Sequence, residues 1–204
     1  NEGYVLPESI SVDGVTDFNY TIAEDSGAAT FSCKMPASNV TVTVTANLWY
    51  LDNNYINSLS AENIGITKTI EVNGLAHTVR LIGVDHDDLA DNSGKAHTTW
   101  EFADLITNSG NALTTIWNSP DNYNFPNSTL NKFLNGTNES IENSVLSMLP
   151  KTLQDVIQKV EKPVATSTDS GSNYTVTNYN TKLFPLSHKE ITAIPDLGYE
   201  DEGK

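Results

Sequence analysis

The sequence predicts an α+β chain, with a small all-β module over residues 1–52 and an α+β domain over residues 53–204. Residues up to about 48 alternate apolar and polar with a period of two, the signature of strands with one buried face. Asn73-Gly74, flanked by apolar runs, is the strongest short hairpin signal a chain can carry. From Ser128 onward the apolar residues recur at helical spacing.

In chain order, Ile10 and Val12 lead into a turn at Asp13-Gly14, and Tyr20 and Ile22 mark a short strand. Phe31, Cys33 and Met35 alternate, Pro36–Asn39 turn the chain, and Val40, Val42 and Val44 alternate with threonines. These runs read as a hairpin with its threonines on the exposed face. Trp49, Tyr50 and Tyr55 fall in a stretch without clear period, and a boundary is placed near Asn53. Ile70 and Val72 then run into Asn73-Gly74, and Val79, Leu81, Ile82 and Val84 return as a buried strand. Asp85, Asp87, Asp88 and Asp91 crowd into the loop that follows. Thr98 and Glu101 stand at capping-box spacing and predict a helix there. Leu130, Phe133 and Leu134 share one helical face, which Asn135-Gly136 should end. Ile141, Val145, Met148 and Leu149 predict a second helix. A third should start at Pro150, bury Leu153, Val156, Ile157 and Val160, and stop at Pro163. Residues 165–173 read as a polar loop. Leu183, Phe184 and Leu186 read as a short buried strand, with a capped helix from Ser187 to follow.

Composition narrows the functional classes. The 204 residues include 26 acidic and 11 basic ones, for a formal net charge of −15. That balance argues against nucleic acid, whose phosphates demand a basic stripe, and against an anionic membrane surface. No apolar run reaches the length of a membrane span. Cys33 is the single cysteine, so no intrachain disulfide can form, and it reads as a small buried apolar residue. Asn1 is not a natural start, so the chain reads as a mature or trimmed product. N-x-[ST] sequons occur at Asn19, Asn39, Asn127, Asn135, Asn138 and Asn173, and in a chain this rich in Asn, Thr and Ser they reflect composition.

The acidic loop is the first site candidate. Asp85, Asp87, Asp88 and Asp91 offer hard oxygen ligands suited to calcium. The EF-hand pattern fails, with Leu89 at the fifth position, Ala90 where the glycine belongs and no glutamate at the twelfth. The competing reading is a solvated turn whose aspartates cap the surrounding chain. His86 and His97 flank the loop without any zinc-type spacing. A second candidate is a set of loop aromatics, Trp117, Tyr123, Tyr174 and Tyr179, able to stack on sugar rings. No nucleophile elbow, Walker loop or dinucleotide fingerprint is present.

Two stretches resemble known families. FSCKMPASNVTVTVTA, from Phe31 to Ala46, is similar to the ending of small β repeats strung along Gram-positive surface proteins, related to the internalin-type B repeats. Such repeats act as spacers. Residues 70–204 resemble an uncharacterised domain of gut Gram-positive bacteria and their phages, through HTVRLIGVDHDDLADNSGKAHTTWEFADLI, STLNKFLNG, LPKTLQDVIQKVEKP, KLFPLSHKEI and LGYEDEG. Phe133 stands where that family usually has tryptophan. Its usual Trp-Trp-Leu-Arg-Ser ending and Arg-Pro strand are absent, so the resemblance implies a C-type-lectin-like fold that is incomplete here. Chemistry of the formylglycine-generating type, which that fold also carries, needs cysteines or a copper site, and Cys33 lies in the other module.

The sequence therefore predicts a non-catalytic, extracellular binding or adhesion module of a bacterial cell surface. Its expected ligand is a glycan or a host surface glycoprotein, with no cofactor unless calcium binds the acidic loop. The alternative is a structural spacer of a surface or virion protein with no small-molecule ligand.

Overall fold

The computed structural model describes residues 4–5, 15–22, 29–34, 47–108, 111–115, 124–137, 140–167 and 174–186. It is α+β, with several small antiparallel sheets and four short helices among these residues. The chain divides into two compact units, Asn1–Tyr55 and Ile56–Lys204.

In the first unit, β1 (Tyr4–Val5) pairs antiparallel with β4 (Asn47–Leu48), and β2 (Thr16–Ile22) with β3 (Ala29–Lys34). The β2–β3 ladder slips between Thr16 and Asn19, where Asp17 adopts a positive φ of 56°, as at a bulge. Alternation located β3 but not its environment. Phe31 is 50% exposed rather than buried, and Cys33 is only half-buried. The Ile10–Gly14 and Val40–Val44 predictions lie outside the described residues. Trp49 is buried and meets Tyr50 edge-on at 5.6 Å. The Asp52 carboxylate accepts the Tyr55 N–H at 3.0 Å and so caps α1 (Asn53–Ser58), within which the division falls.

The second unit is built on the predicted hairpin. Strand β5 (Thr67–Val72) and β6 (Leu75–Val84) pair in register from Val72↔Leu75 to Thr67↔Arg80. Asn73 and Gly74 both take positive φ, 51° and 75°, the twist a two-residue hairpin requires. One face of β6 is buried, with His77, Val79, Leu81 and Gly83 inward, while Ile82 and Val84 are only partly covered. Ile70 and Val72 bury the matching face of β5. Each such apolar side chain contributes about 1.5–3 kcal/mol. The Asn73 N–H donates to Met148 O at 2.7 Å, tying the turn to α3 (Val145–Met148).

The helix expected at Thr98 is instead a strand, β7 (Thr98–Phe102), paired along β6. Thr98, Thr99, Trp100 and Phe102 are strand-favouring types, and Glu101 sits opposite Arg80 and ion-pairs with it. Pairing with a strand already in place outweighs a local capping signal. The chain continues through the short β8 (Thr107–Asn108) and β9 (Asn111–Ala112) hairpin.

Three helices follow. The first, α2 (Thr129–Asn135), starts where Ser128 accepts the Asn131 N–H and ends at Gly136, φ 79°. Strikingly little of the predicted third helix survives: α4 is only Lys151–Val156, with Pro150 at its N-cap and Leu153 buried. Val156 is exposed, and Ile157 turns extended. Val160 opens β10 (Val160–Ser167), which pairs with β11 (Tyr174–Thr181). The β-branched Val156, Ile157 and Val160 are poor helix continuers. Pro163, expected as a stop, lies inside β10, and Ser167 ends a strand rather than lying in a loop. Proline is tolerated there because the other edge of β10 meets the acidic loop only around Val160. Residues 183–186 are irregular and half-buried rather than a strand, and the predicted Ser187 helix lies outside the described residues.

Two glycines should respond differently to a β-carbon. A Cβ on Gly74 meets nothing within 4 Å, whereas one on Gly136 lies 2.4 Å from Ser140 O and 2.5 Å from Ile141 Cα. Gly74→Ala is expected to cost only the left-handed backbone penalty, about 1–2 kcal/mol. Gly136→Ala should cost clearly more in urea unfolding. Equal losses would show that backbone conformation, not the close approach, governs Gly136.

Candidate functional site

The acidic loop is a folded ribbon. Asp85 N–H donates to His97 O at 3.0 Å, Ala96 N–H to Asp87 O at 2.8 Å and Leu89 N–H to Gly94 O at 2.8 Å. Asp88 bridges to Lys95 across this ribbon. The same segment pairs on its other side with the start of β10, through Glu161 N–H to Asp88 O at 2.8 Å and Ala90 N–H to Lys159 O at 3.0 Å. Residues 88–90 are thus the middle of a narrow antiparallel ribbon that runs from Lys95 to β11.

Asp87 is the fixed point of this arrangement. It is 1% exposed, and its Oδ1 lies 2.8 Å from Nζ of Lys162, itself 6% exposed on β10. Thr99 Oγ1 on β7 donates to Oδ2 at 2.5 Å, and His86 Nδ1 stands 3.3 Å from Oδ1. The ammonium of Lys162 also sits 4.4 Å from the centre of the Phe184 ring. Burial pushes the Asp87 carboxyl up, but the Lys162 and Thr99 hydrogen bonds and the Lys162 and His86 charges outweigh it, so it is held below the usual carboxylate range. One carboxylate therefore joins three segments: the loop, β7 and β10.

The other three aspartates are occupied at the surface. Asp85 Oδ1 lies 3.0 Å from His97 Nδ1, and Asp88 Oδ1 lies 2.9 Å from Lys95 Nζ. Asp91 Oδ1 accepts the Ser93 N–H at 2.9 Å, and the Ser93 side-chain hydrogen bond, followed by this backbone one, lowers its pKa. The four carboxylates point to four different partners. Among the described residues no group of three or more His, Cys, Asp or Glu side chains gathers as a metal site. A further pair was not foreseen: buried His77 places Nδ1 3.3 Å from Asp104 Oδ1, and Nε2 faces the Thr107 N–H at 3.5 Å. The carboxylate only accepts, so Nδ1 carries the proton in that neutral ring.

The aromatic candidates separate. Trp117 and Tyr123 lie outside the described residues, and for Tyr174 only the backbone, at the start of β11, is described. Tyr179 faces inward. Its ring meets Phe125 edge-on at 5.9 Å, and its hydroxyl accepts from Asn131 Nδ2 at 2.9 Å. It therefore anchors β11 to the start of α2 rather than presenting a ring to solvent.

A side-chain ladder on α2 completes the frame. Buried Asn131 donates to Pro126 O and Tyr179 Oη and accepts from Asn135 Nδ2 at 3.0 Å. Asn135 then donates to Leu183 O at 2.7 Å and accepts the Leu183 N–H at 2.9 Å, as a neighbouring strand would. The i, i+4 spacing of these asparagines was visible in the sequence, but their partners lie 48 residues away.

With this geometry in hand, the chain can be set beside known proteins. Residues 105–204 match DUF6273, a domain of unknown function. The match begins after the acidic loop and covers α2 to α4, β10 and β11. No curated protein matches the chain, and no solved structure does. The DUF6273 segment thus contributes Lys162, while Asp87 and Thr99 come from the residues before it. No helix among the described residues is long and apolar enough to cross a membrane.

Lys162→Met leaves a buried unpaired carboxylate and is expected to cost about 3–5 kcal/mol. Adding Asp87→Asn should recover much of that loss, since it removes the orphaned charge. Urea unfolding of the two singles and the double measures this, and strictly additive losses would contradict the pairing. Asp87 has a depressed folded-state pKa, so its stabilisation is present above the unfolded value of about 3.9 and is lost as pH falls through the lower folded value. Thermal melts recorded down the acid limb should therefore show a shallower decline in Asp87→Asn than in the unmodified chain.

Proposed function

We propose that this chain is a non-catalytic extracellular module of a bacterial surface protein that recognises carbohydrate, free or on a host glycoprotein. The observation that carries the reading is where the polar side chains are spent. Asp87, Lys162, Thr99, His77 and Asn131 are committed to one another or to backbone inside the fold. The outward face of the β10–β11 ribbon instead presents Asn180, Pro163 and Val176, with Asn178 donating to Glu161 on the same face. Amides next to small apolar surfaces suit sugar hydroxyls and ring faces, and a ribbon pinned through Lys162 holds them in fixed positions. The resemblance of Phe31–Ala46 to surface-protein repeats supports the extracellular placement.

The experiment is a glycan and mucin binding screen of the whole chain, in calcium and again in EDTA. Binding is expected in both buffers alike, because the aspartates of the acidic loop already have protein partners. Binding abolished by EDTA would move the site to that loop and overturn the metal-independent reading. Silence in both buffers would favour the structural spacer.

A further inference from the structure

Asp87 and Lys162 bring a carboxyl and a primary amine into contact out of water. Oδ1 lies 2.8 Å from Nζ, and the two side chains are 1% and 6% exposed. Thr99 Oγ1 donates to Oδ2 at 2.5 Å, His86 Nδ1 stands 3.3 Å from Oδ1, and the centre of the Phe184 ring lies 4.4 Å from Nζ. The carboxylates on either side are engaged elsewhere: Asp85 with His97, Asp88 with Lys95 and Glu161 with Asn178. Amide formation asks for these same parts. It needs an amine held against a carboxyl, a donor on the oxygen that gains charge, a group that moves protons, and a site closed to water.

We infer that Lys162 and Asp87 condense after folding to an amide that joins their side chains covalently. In the ion-paired form neither group reacts, because the ammonium has no lone pair and the carboxylate is a poor electrophile. Transfer of a proton from Nζ to Oδ1 along their hydrogen bond gives an amine beside a carboxylic acid. The Nζ lone pair then forms a bond to Asp87 Cγ, and the π pair of Cγ=Oδ2 shifts onto Oδ2, where the Thr99 hydroxyl donates. Nζ releases a proton, which His86 Nδ1 carries to the Oδ1 hydroxyl. The Cγ–Oδ1 bond breaks, water leaves with that electron pair, and the pair on Oδ2 re-forms the carbonyl. One amide and one water result, and no oxidant, reductant or cofactor is consumed.

Desolvation opposes both buried charges, and the product carries neither. The Asp87 carboxyl is held below the usual range, so the unreactive ionic form predominates and closure is slow. Until it closes, the pair titrates and unfolds as an ion pair. The finished bond would tie the acidic loop to β10 across 75 residues of sequence, a constraint on the unfolded chain that a disulfide cannot supply here, since Cys33 is the single cysteine. The bond is independent of any ligand.

The test is the intact mass of the full chain under denaturing, reducing conditions, after overnight incubation of the folded protein at neutral pH. The expected mass is lower than the sequence mass by one water, and protease digestion should yield a branched peptide joining the Asp87 and Lys162 segments. Chain kept in urea throughout should retain its full mass, as should Lys162→Arg and Asp87→Ala. Thr99→Val should slow the loss of water about a hundredfold, the usual worth of one oxyanion donor, and Thr99→Ser should restore it. Should a variant lose its cooperative thermal melt, the branched peptide from the unmodified chain decides the question by itself. Full mass in the folded, incubated chain would overturn the inference. So would a water lost at any other site, or lost equally in urea.

Discussion

The second unit depends on a buried ion pair. Asp87 and Lys162 are 75 residues apart in sequence and almost wholly out of water. Taking both charges from solvent costs several kcal/mol each, and their attraction offsets this only when the remaining hydrogen-bonding capacity is satisfied. Thr99 supplies that for the second carboxylate oxygen, and the Phe184 ring faces the ammonium. Such a pair need not add much net stability, but it makes wrong registers expensive. A β10 displaced by one residue would turn Lys162 outward and leave Asp87 buried alone. The ion pair therefore sets which rung of β10 meets the acidic loop, and with it the position of the whole β10–β11 ribbon.

Seen this way, the density of aspartates in the loop has a structural cause. Four acidic side chains in seven residues repel one another, and each is relieved by a different cationic or N–H partner: His97, Lys162, Lys95 and the Ser93 amide. The loop folds as a ribbon because those partners lie on both sides of it. Loop and β10 then define each other, although the DUF6273 match includes only one of them.

The parts legible in the sequence were those whose cause is local. Asn73-Gly74 fixed a hairpin because its two residues tolerate positive φ, and Gly136 ended α2 for the same reason. The alternation of β6 was visible too, although the run from Val79 to Val84 suggested burial on both faces where only one is buried. What failed were the judgements on Thr98–Glu101 and Val160, where a distant partner decides the outcome. Thr98–Glu101 carries a capping box, yet β6 offered a waiting edge and the segment became β7. Val160 has helical spacing from Leu153 and Val156, yet its N–H and C=O neighbourhood is decided by the loop some seventy residues earlier. The acidic cluster stood out in the sequence by its density alone. Its chemistry was not readable, because a buried aspartate and a metal-binding one look the same until Lys162 is seen beside it.

The asparagine clip on α2 has a consequence for the sugar chemistry of the chain itself. Asn135 belongs to one of the N-x-[ST] sequons, and both hydrogens of its amide nitrogen are already donated, to Asn131 and to Leu183 O. An N-linked glycan would replace one of those hydrogens. Attachment at that nitrogen and the complete clip that holds residue 183 against α2 are therefore mutually exclusive, whereas Asn127, exposed on the turn before α2, carries no such conflict in its side-chain position. In a secretory pathway that glycosylates nascent chains, the order of events at Asn135 would decide the outcome. Folding first would seal the acceptor, and modification first would leave the Leu183 segment without one of its two anchors.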